Sequence, residues 1–310
     1  MISDLIRKAS EEYYKGTPIM SDEMYDHLLE LTNIEDVGYS DNSEKRFPHM
    51  HPMFSLQKIW EGEERPEWKT AFASPKFDGA AVSILIADGK IQKILTRGDG
   101  KEGLDITRLL STKLPTFFPS KDMYQITGEV IAPKEIPNAR NYAAGALNLK
   151  SVEEFQTRDV TFVAYGIEPN PTEDYRTDLD FIRTLGFQTI ESLPNPDDYP
   201  QDGIVVRMCN NKDFFNAGFT SHHPRGAYAL KKRETGVVTT LLDVEWQVGK
   251  SGAVSPVAIL EPVMVEDAQV SRASLHNKAI IEALDLEIGC QVEVIRAGKI
   301  IPQIIRRVDV

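Results

Sequence analysis

Lys76 stands in the run Ser74-Pro75-Lys76-Phe77-Asp78-Gly79, which brings an amine and a carboxylate to one turn ahead of a predicted strand. A lysine whose surroundings favour the free amine is a nucleophile. Taken alone, the run is better read as a surface lysine in a turn. Four further groups follow in order and change that balance: Thr96-Arg97-Gly98-Asp99-Gly100, Thr127-Gly128-Glu129-Val130, Asp202-Gly203-Ile204-Val205-Val206-Arg207 and Tyr228-Ala229-Leu230-Lys231-Lys232. Each sets a charged side chain at a strand end or a Gly turn, a usual position for groups that face a cleft. Together they supply cations for phosphates (Arg97, Arg207, Lys231) and carboxylates for a divalent metal (Glu129, Asp202) around one lysine.

The elements that must position these groups are readable from periodicity. Leu5-Ile6 and Tyr13-Tyr14 recur at helical spacing, Gly16-Thr17-Pro18 interrupts, and Ser21-Asp22-Glu23 caps a second helix carrying Tyr25, Leu28, Leu29 and Leu31. The acidic run from Glu35 to Glu44 reads as a linker. Ala80–Ile86, Asp88-Gly89 and Ile91–Thr96 form a strong hairpin signal. Strands are expected at Tyr124–Ala132, Val160–Tyr165 and Gly203–Met208, with helices at 151–156 and 177–185. This is an α+β pattern in which an antiparallel sheet is expected. From Gly236 the pattern turns to strands, at Val238–Val248, Val257–Leu260, Gln291–Ile295 and Ile304–Val308, with a helical insert near Ser274–Ala283. A small barrel of the oligonucleotide-binding type is one candidate for it. The domains expected are 1–45, 46–235 and 236–310.

Composition narrows the class. At ~100–200 residues per domain, a chain of 310 residues holds more than one domain. Hydrophobic residues at 41% and charged residues at 26% exclude wholesale disorder. No apolar run reaches the ~20 residues of a membrane helix, and the N-terminus shows no export signal. A cytoplasmic location is expected. Cys209 and Cys290 are too few for a disulfide framework or a four-thiolate zinc site, and both read as buried thiols. The net charge of −12 taken whole speaks against a nucleic-acid partner. Its distribution does not: residues 1–70 carry 8 Lys and Arg against 15 Asp and Glu, so over half the excess lies near the N-terminus. Bases such as Lys231-Lys232-Arg233 and Arg306-Arg307 remain for a basic path.

The ordered set around Lys76 resembles the covalent nucleotidyltransferase superfamily of DNA ligases, RNA ligases and mRNA-capping enzymes. Further stretches narrow the resemblance to the NAD-dependent, bacterial-type DNA ligase. Tyr13-Tyr14 with Ser21-Asp22-Glu23-Met24-Tyr25-Asp26 is similar to that family's cap for the nicotinamide mononucleotide half of NAD, at one residue shorter spacing. His51-Pro52-Met53-Phe54-Ser55-Leu56 resembles its adenosine-contacting stretch, and Asn138-Ala139-Arg140-Asn141-Tyr142-Ala143-Ala144-Gly145 its N-P-R-N-x-A-A-G segment. Gln247-Val248-Gly249-Lys250-Ser251-Gly252, Leu260-Glu261-Pro262-Val263, Leu275-His276-Asn277 and Arg296-Ala297-Gly298 resemble its OB-fold barrel.

The resemblance implies an α+β fold: a short N-terminal helical cap, a nucleotidyltransferase (ATP-grasp-like, antiparallel-sheet) adenylation domain and a C-terminal OB-fold β-barrel. It implies that Lys76 attacks the α-phosphate of NAD and becomes lysyl–AMP, with Asp78, Asp202 and Lys231 also catalytic. Tyr13, Asp22, Tyr25, Asp26, Ser55, Leu56, Arg97, Glu129 and Arg207 are then further NAD-binding residues beside Lys76 and Lys231. Glu129 and Asp202 are carboxylates for Mg²⁺, and Arg140, Lys250 and Arg296 contact nicked duplex DNA. No membrane partner and no structural zinc are expected. A monomer is expected, a second ligase subunit being the alternative.

Departures from the family pattern are Ser74 in place of a glutamate that reads the adenine edge, Arg207 in place of lysine, and Asn148 in place of arginine. The zinc, helix-hairpin-helix and BRCT modules of the family have no counterpart before Val310. A minimal ligase is therefore expected, virus-encoded in one version of this reading, with a split-enzyme subunit or a truncated form as alternatives. Two rival functions stay open: an ATP-using RNA ligase or capping-type transferase, and a non-catalytic DNA-binding subunit. His222-His223, the Asp99 and Asp105 turn, and Gly98-x-Gly100-x-x-Gly103 are better read as a solvated or phosphate-facing loop, a turn without a calcium pattern, and a weak dinucleotide mimic.

Overall fold

A computed structural model describes residues 2–14, 19–20, 25, 28–29, 45–232, 236–248, 254–265, 268–275, 277–297 and 301–308. Contacts divide the chain into two units, one of Val37–Lys232 and one of Met1–Asp36 with Arg233–Val310.

The larger unit holds strands β1 (Arg46–Pro48), β2 (Gln57–Trp60), β3 (Ala71–Phe77), β4 (Ala80–Ala87), β5 (Lys90–Thr96), β6 (Glu102–Leu104), β7 (Tyr124–Ile131), β8 (Thr161–Glu168), β9 (Gln201–Met208) and β10 (Ala227–Lys231). They form a sheet of order β5-β4-β7-β8, a sheet of order β2-β10-β9-β3, and the pair β1-β6. All pairings are antiparallel except β2 with β10. The expected hairpin is β4–β5, and both turn residues have positive φ, Asp88 at 53° and Gly89 at 71°. That is the turn whose twist suits antiparallel strands. Val82, Ile84 and Ile86 of β4, Ile94 of β5 and Ile126 of β7 are at most 1% exposed and share a core with Phe155, Leu179 and Ile182. These last come from the helices Val152–Gln156 and Tyr175–Thr184. Ser151 caps the first by accepting from Glu154 N at 3.1 Å, and Asp174 caps the second from Arg176 N at 2.9 Å.

The smaller unit contains a closed barrel of order β11-β12-β13-β15-β14, from β11 (Val237–Val248), β12 (Val254–Val265), β13 (Ala268–Ser274), β14 (Gln291–Ala297) and β15 (Ile301–Arg307). One helix, Lys278–Ala283, lies between β13 and β14, which makes the barrel an OB-fold. β13 has no counterpart in the sequence reading, because Gln269, Ser271 and Arg272 break its apolar signal. The helical insert begins later than expected, at Lys278, where Asn277 accepts from Ile280 N at 3.2 Å. The N-terminal helix Ile2–Tyr14 contributes Leu5, Ile6 and Ala9 to the hydrophobic cluster that includes Leu241, Leu260 and Ile280. Leu28 joins that cluster with Tyr25 and Leu29 packed against it; the rest of the expected second helix lies outside the described residues. No described helix is long and apolar enough to cross a membrane. Both cysteines are free, Cys290 buried and Cys209 half-buried.

Candidate active site

Lys76 lies inside β3, near its end, and not in a turn ahead of a strand as the sequence suggests. Pro75 is compatible with that strand because β3 is an edge of its sheet and pairs only with β9. The pairing is irregular just there: Pro75 faces Ile204 and Phe77 faces Gln201, so Asp202 and Gly203 together oppose the single Lys76. This is a β-bulge, which re-aims side chains and breaks strict alternation. It brings the Asp202 carboxylate to Lys76, whose Nζ donates to Oδ1 at 2.7 Å. Lys231, the last residue of β10, places its Nζ 3.3 Å from Oδ2 of the same carboxylate. Gly203 makes the bulge possible. Its φ is +133°, and a Cβ there would lie 2.4 Å from Leu230 O. Burial works to raise the Asp202 pKa, but Lys76, Lys231 and Arg140 outweigh it and hold the group below the ordinary carboxylate value.

Glu129 sits on β7, opposite Ala81 and Val163. Its pKa is pushed up to about 7, first by burial and then by the negative charge of Asp202, against the pull of Lys76, Arg97 and a hydrogen bond from Gly79 N–H. Arg97 follows β5; its N–H donates to Ala81 O at 2.9 Å and its Nη2 to Ser55 Oγ at 2.5 Å. Arg97 Nε is buried with no hydrogen-bond partner among the described residues, a donor fit for an anion. Ser55 N–H donates to His222 O at 3.1 Å, and half-buried Leu56 follows it. Arg140, in the helix Ala139–Leu147, pairs through Nη1 with Asp78 Oδ1 at 3.0 Å. Burial lowers its pKa to about 10, against the opposing charge of Asp202. Arg140 thus belongs to the lysine's surroundings.

Arg207 is set apart from that group. Its guanidinium lies within cation–π range of the Tyr175 and Phe214 rings and donates to Met208 O and Asn211 Oδ1. Nearby, His51 Nδ1 meets Glu168 Oε2 at 3.1 Å. Burial raises the Glu168 pKa, with His51 and Arg207 opposing it. Sequence reasoning missed His49, which hydrogen-bonds Ser83 Oγ at 2.8 Å and Arg97 O at 3.0 Å and so braces the arginine. It also missed Tyr175, Asn211 and Asp178, polar or aromatic residues on helices with no turn motif to flag them. Asp22, Asp26, Lys250 and the Tyr13 side chain lie outside the described residues. Tyr25 is half-buried, and Arg296 lies on β14 opposite Pro302, also half-buried.

Among the described residues no three His, Cys, Asp or Glu side chains converge as a metal cage. Both oxygens of Asp202 are engaged by ammonium groups, whereas Glu129 is a carboxyl whose pKa is raised by burial first and then by the Asp202 carboxylate. That donor set fits one hard cation bound mainly by phosphate oxygens and water, not a cation held by protein alone.

Residues 41–201 match the family model of the NAD-dependent DNA ligase adenylation domain, and residues 238–310 that of the NAD-dependent DNA ligase OB-fold domain. Over 97% of its length the chain is 32% identical to the DNA ligase of Campylobacter lari, of which it covers 56%. It is 29% identical over 98% of its length to that of Sulfurimonas denitrificans, covering 57%, and 31% over 98% to that of Staphylococcus saprophyticus, covering 56%. The chain therefore spans a little over half the length of these relatives.

Proposed function

From the premise that the chain belongs to the NAD-dependent DNA ligase family, we propose that it seals nicks in duplex DNA between a 5′-phosphate and a 3′-hydroxyl, with NAD as the AMP donor. The observation that carries the reading is the Lys76–Asp202–Lys231 group, 2.7 Å and 3.3 Å across its two contacts, with Arg97 and Glu129 beside it.

In the first step the Lys76 ammonium gives up one proton to solvent and attacks the α-phosphorus of NAD as the free amine, passing a second proton to Asp202 as the nitrogen–phosphorus bond forms. The phosphorus–oxygen bond to nicotinamide mononucleotide breaks, and that group leaves with the electron pair as AMP becomes bonded to Nζ. Asp202 orients the amine, while Lys231 and Arg97 offset charge on the phosphoryl oxygens. In the second step the DNA 5′-phosphate displaces Lys76 and takes AMP. In the third the 3′-hydroxyl attacks that phosphate and AMP leaves. Glu129 and Asp202 would hold Mg²⁺, which would supply charge stabilisation when bound.

Residues 1–45 act in this reading as the cap for nicotinamide mononucleotide through Tyr13, Asp22, Tyr25 and Asp26, residues 46–235 as the adenylation domain, and residues 236–310 as the DNA-gripping barrel. Arg140, Lys250 and Arg296 are proposed DNA contacts, and Ser55, Leu56 and Arg207 nucleotide contacts. A cytoplasmic monomer goes with it. The family models favour this over the ATP-using and non-catalytic alternatives. The test is mass spectrometry of the chain mixed with NAD and Mg²⁺. The chain gains one AMP with NAD and not with ATP, and Lys76→Ala gains none. An adduct on Lys76→Ala sinks the assignment.

A further inference from the structure

On β3 the buried positions Phe72 and Ser74 alternate with exposed Ala71 and Ala73, and half-buried Lys76 falls on the same side of that alternation as Phe72 and Ser74. Phe72 pairs with Arg207 on β9, and Ala227, on the same series of β10 as Lys231, pairs with Arg207 from the other side. Arg207 therefore shares a sheet face with Lys76 and Lys231. Beyond the bulge it stands on the order of 13 Å further along β9, the scale of a mononucleotide from its phosphate to the far edge of its base.

Its guanidinium is unusually constrained. The carbon lies 4.0 Å from the Tyr175 ring centroid and 4.2 Å from that of Phe214, within cation–π range of both rings. Nη1 donates to Met208 O at 3.1 Å and Nη2 to Asn211 Oδ1 at 3.0 Å. A guanidinium has five N–H donors, so these two leave others for a ligand edge.

Asn211 is 4% exposed, and its Nδ2 donates to Thr172 O at 3.0 Å and to Asp178 Oδ2 at 2.6 Å. With its amide nitrogen anchored twice, its oxygen has to face Arg207. Asp178 is 1% exposed and also accepts from Asn170 Nδ2 at 2.7 Å, Thr172 N at 3.0 Å and Thr172 Oγ1 at 2.6 Å. Burying a carboxylate among amide and hydroxyl donors is costly unless all its acceptors are met, as they are here. What that network delivers outward is a single oriented oxygen.

We propose that Asn211, locked in place by Asp178, is a positioning residue that holds Arg207 ready at the base end of the nucleotide site. The proposal rests on the ligase reading above. A guanidinium ordered beforehand loses less freedom when a nucleotide arrives, so the effect belongs in binding and not in the chemical step.

The test is single-turnover formation of enzyme–AMP by the full chain over a range of NAD concentrations. Asn211→Ala should raise the half-saturating NAD concentration about tenfold and leave the limiting rate within about twofold. Asn170→Ala removes another donor from the same carboxylate without touching Arg207. It should lower the melting temperature as Asn211→Ala does and leave the NAD dependence unchanged. In an Arg207→Met background, Asn211→Ala should add nothing to the NAD requirement. Equal NAD dependence in Asn211→Ala and Asn170→Ala, or multiplied effects in the double variant, overturns the positioning role. If Asn211→Ala does not fold, Asn211→Ser carries the same comparisons. A wild-type chain that gains no AMP from NAD overturns the ligase reading, and this role with it.

Discussion

Glu129→Gln isolates the charge of one carboxyl while keeping its shape. In the folded chain the Glu129 pKa is raised from 4.5 to about 7, chiefly by burial. Between those values the folded state binds a proton that the unfolded chain has released. The stability contributed by this group is therefore fully present below pH 4.5 and is lost as pH rises through about 7. A rise of this size corresponds to at most about 3 kcal/mol, and the half-buried residue admits some water, so about 2 kcal/mol is the working figure. Glutamine carries no such dependence. Urea unfolding of both chains should then show the variant gaining about 2 kcal/mol on wild type between pH 5 and pH 8, since titrations common to both cancel in the difference. A stability difference that does not change with pH, or one that moves in favour of wild type at pH 8, refutes the reasoning. It would mean that Lys76 and Arg97 outweigh burial at this carboxyl.

Two substitutions test the bulge that assembles the lysine site. Gly203→Ala forces a side chain onto a residue at φ +133° with Leu230 O only 2.4 Å from the new carbon; unfolding should show a loss of about 1–3 kcal/mol, and enzyme–AMP formation should fall with it. Unchanged stability would mean that the bulge does not need glycine. Asp202→Asn removes the charge shared by Lys76 and Lys231, and stopped-flow adenylation should slow by roughly 100-fold or more, while a rate within threefold of wild type would remove Asp202 from the mechanism.

Much of the site was legible because its residues sit at a strand end or a glycine turn. Lys76, Arg97, Glu129, Asp202 and Lys231 were found from such positions, and the structure gathers all five. Asp88-Gly89 likewise marked its hairpin, since few residue pairs accept positive φ in succession. What stayed hidden depends on partners remote in sequence. Alternation along Gln201–Met208 taken alone puts Asp202 and Ile204 on one face; only the pairing with β3 reveals the bulge that turns Asp202 toward Lys76. A proline disfavours the interior of a strand, and the edge position of β3 is what permits Pro75 beside Lys76. The ring contacts of Arg207 draw Tyr175 from one helix and Phe214 from another, an encounter no local pattern encodes.

The net charge of −12 is a sum over the chain, whereas phosphate responds to the groups within reach of it. In the site Lys76, Lys231, Arg97 and Arg140 face Asp78, Asp202 and Glu129. Glu129, with a pKa near 7, carries only part of its charge at neutral pH. Four cations against fewer than three full negative charges leave a local positive excess inside an acidic protein. Burial sharpens that excess, because charges held away from water are weakly screened by salt. The pair of ammonium groups on Asp202 also has a chemical consequence. In the proposed reaction a phosphate that enters competes with Asp202 for both of them, and Lys76 has to give up its 2.7 Å hydrogen bond to attack. The carboxylate that holds Lys76 in place is thus also a group the substrate would displace in that reaction.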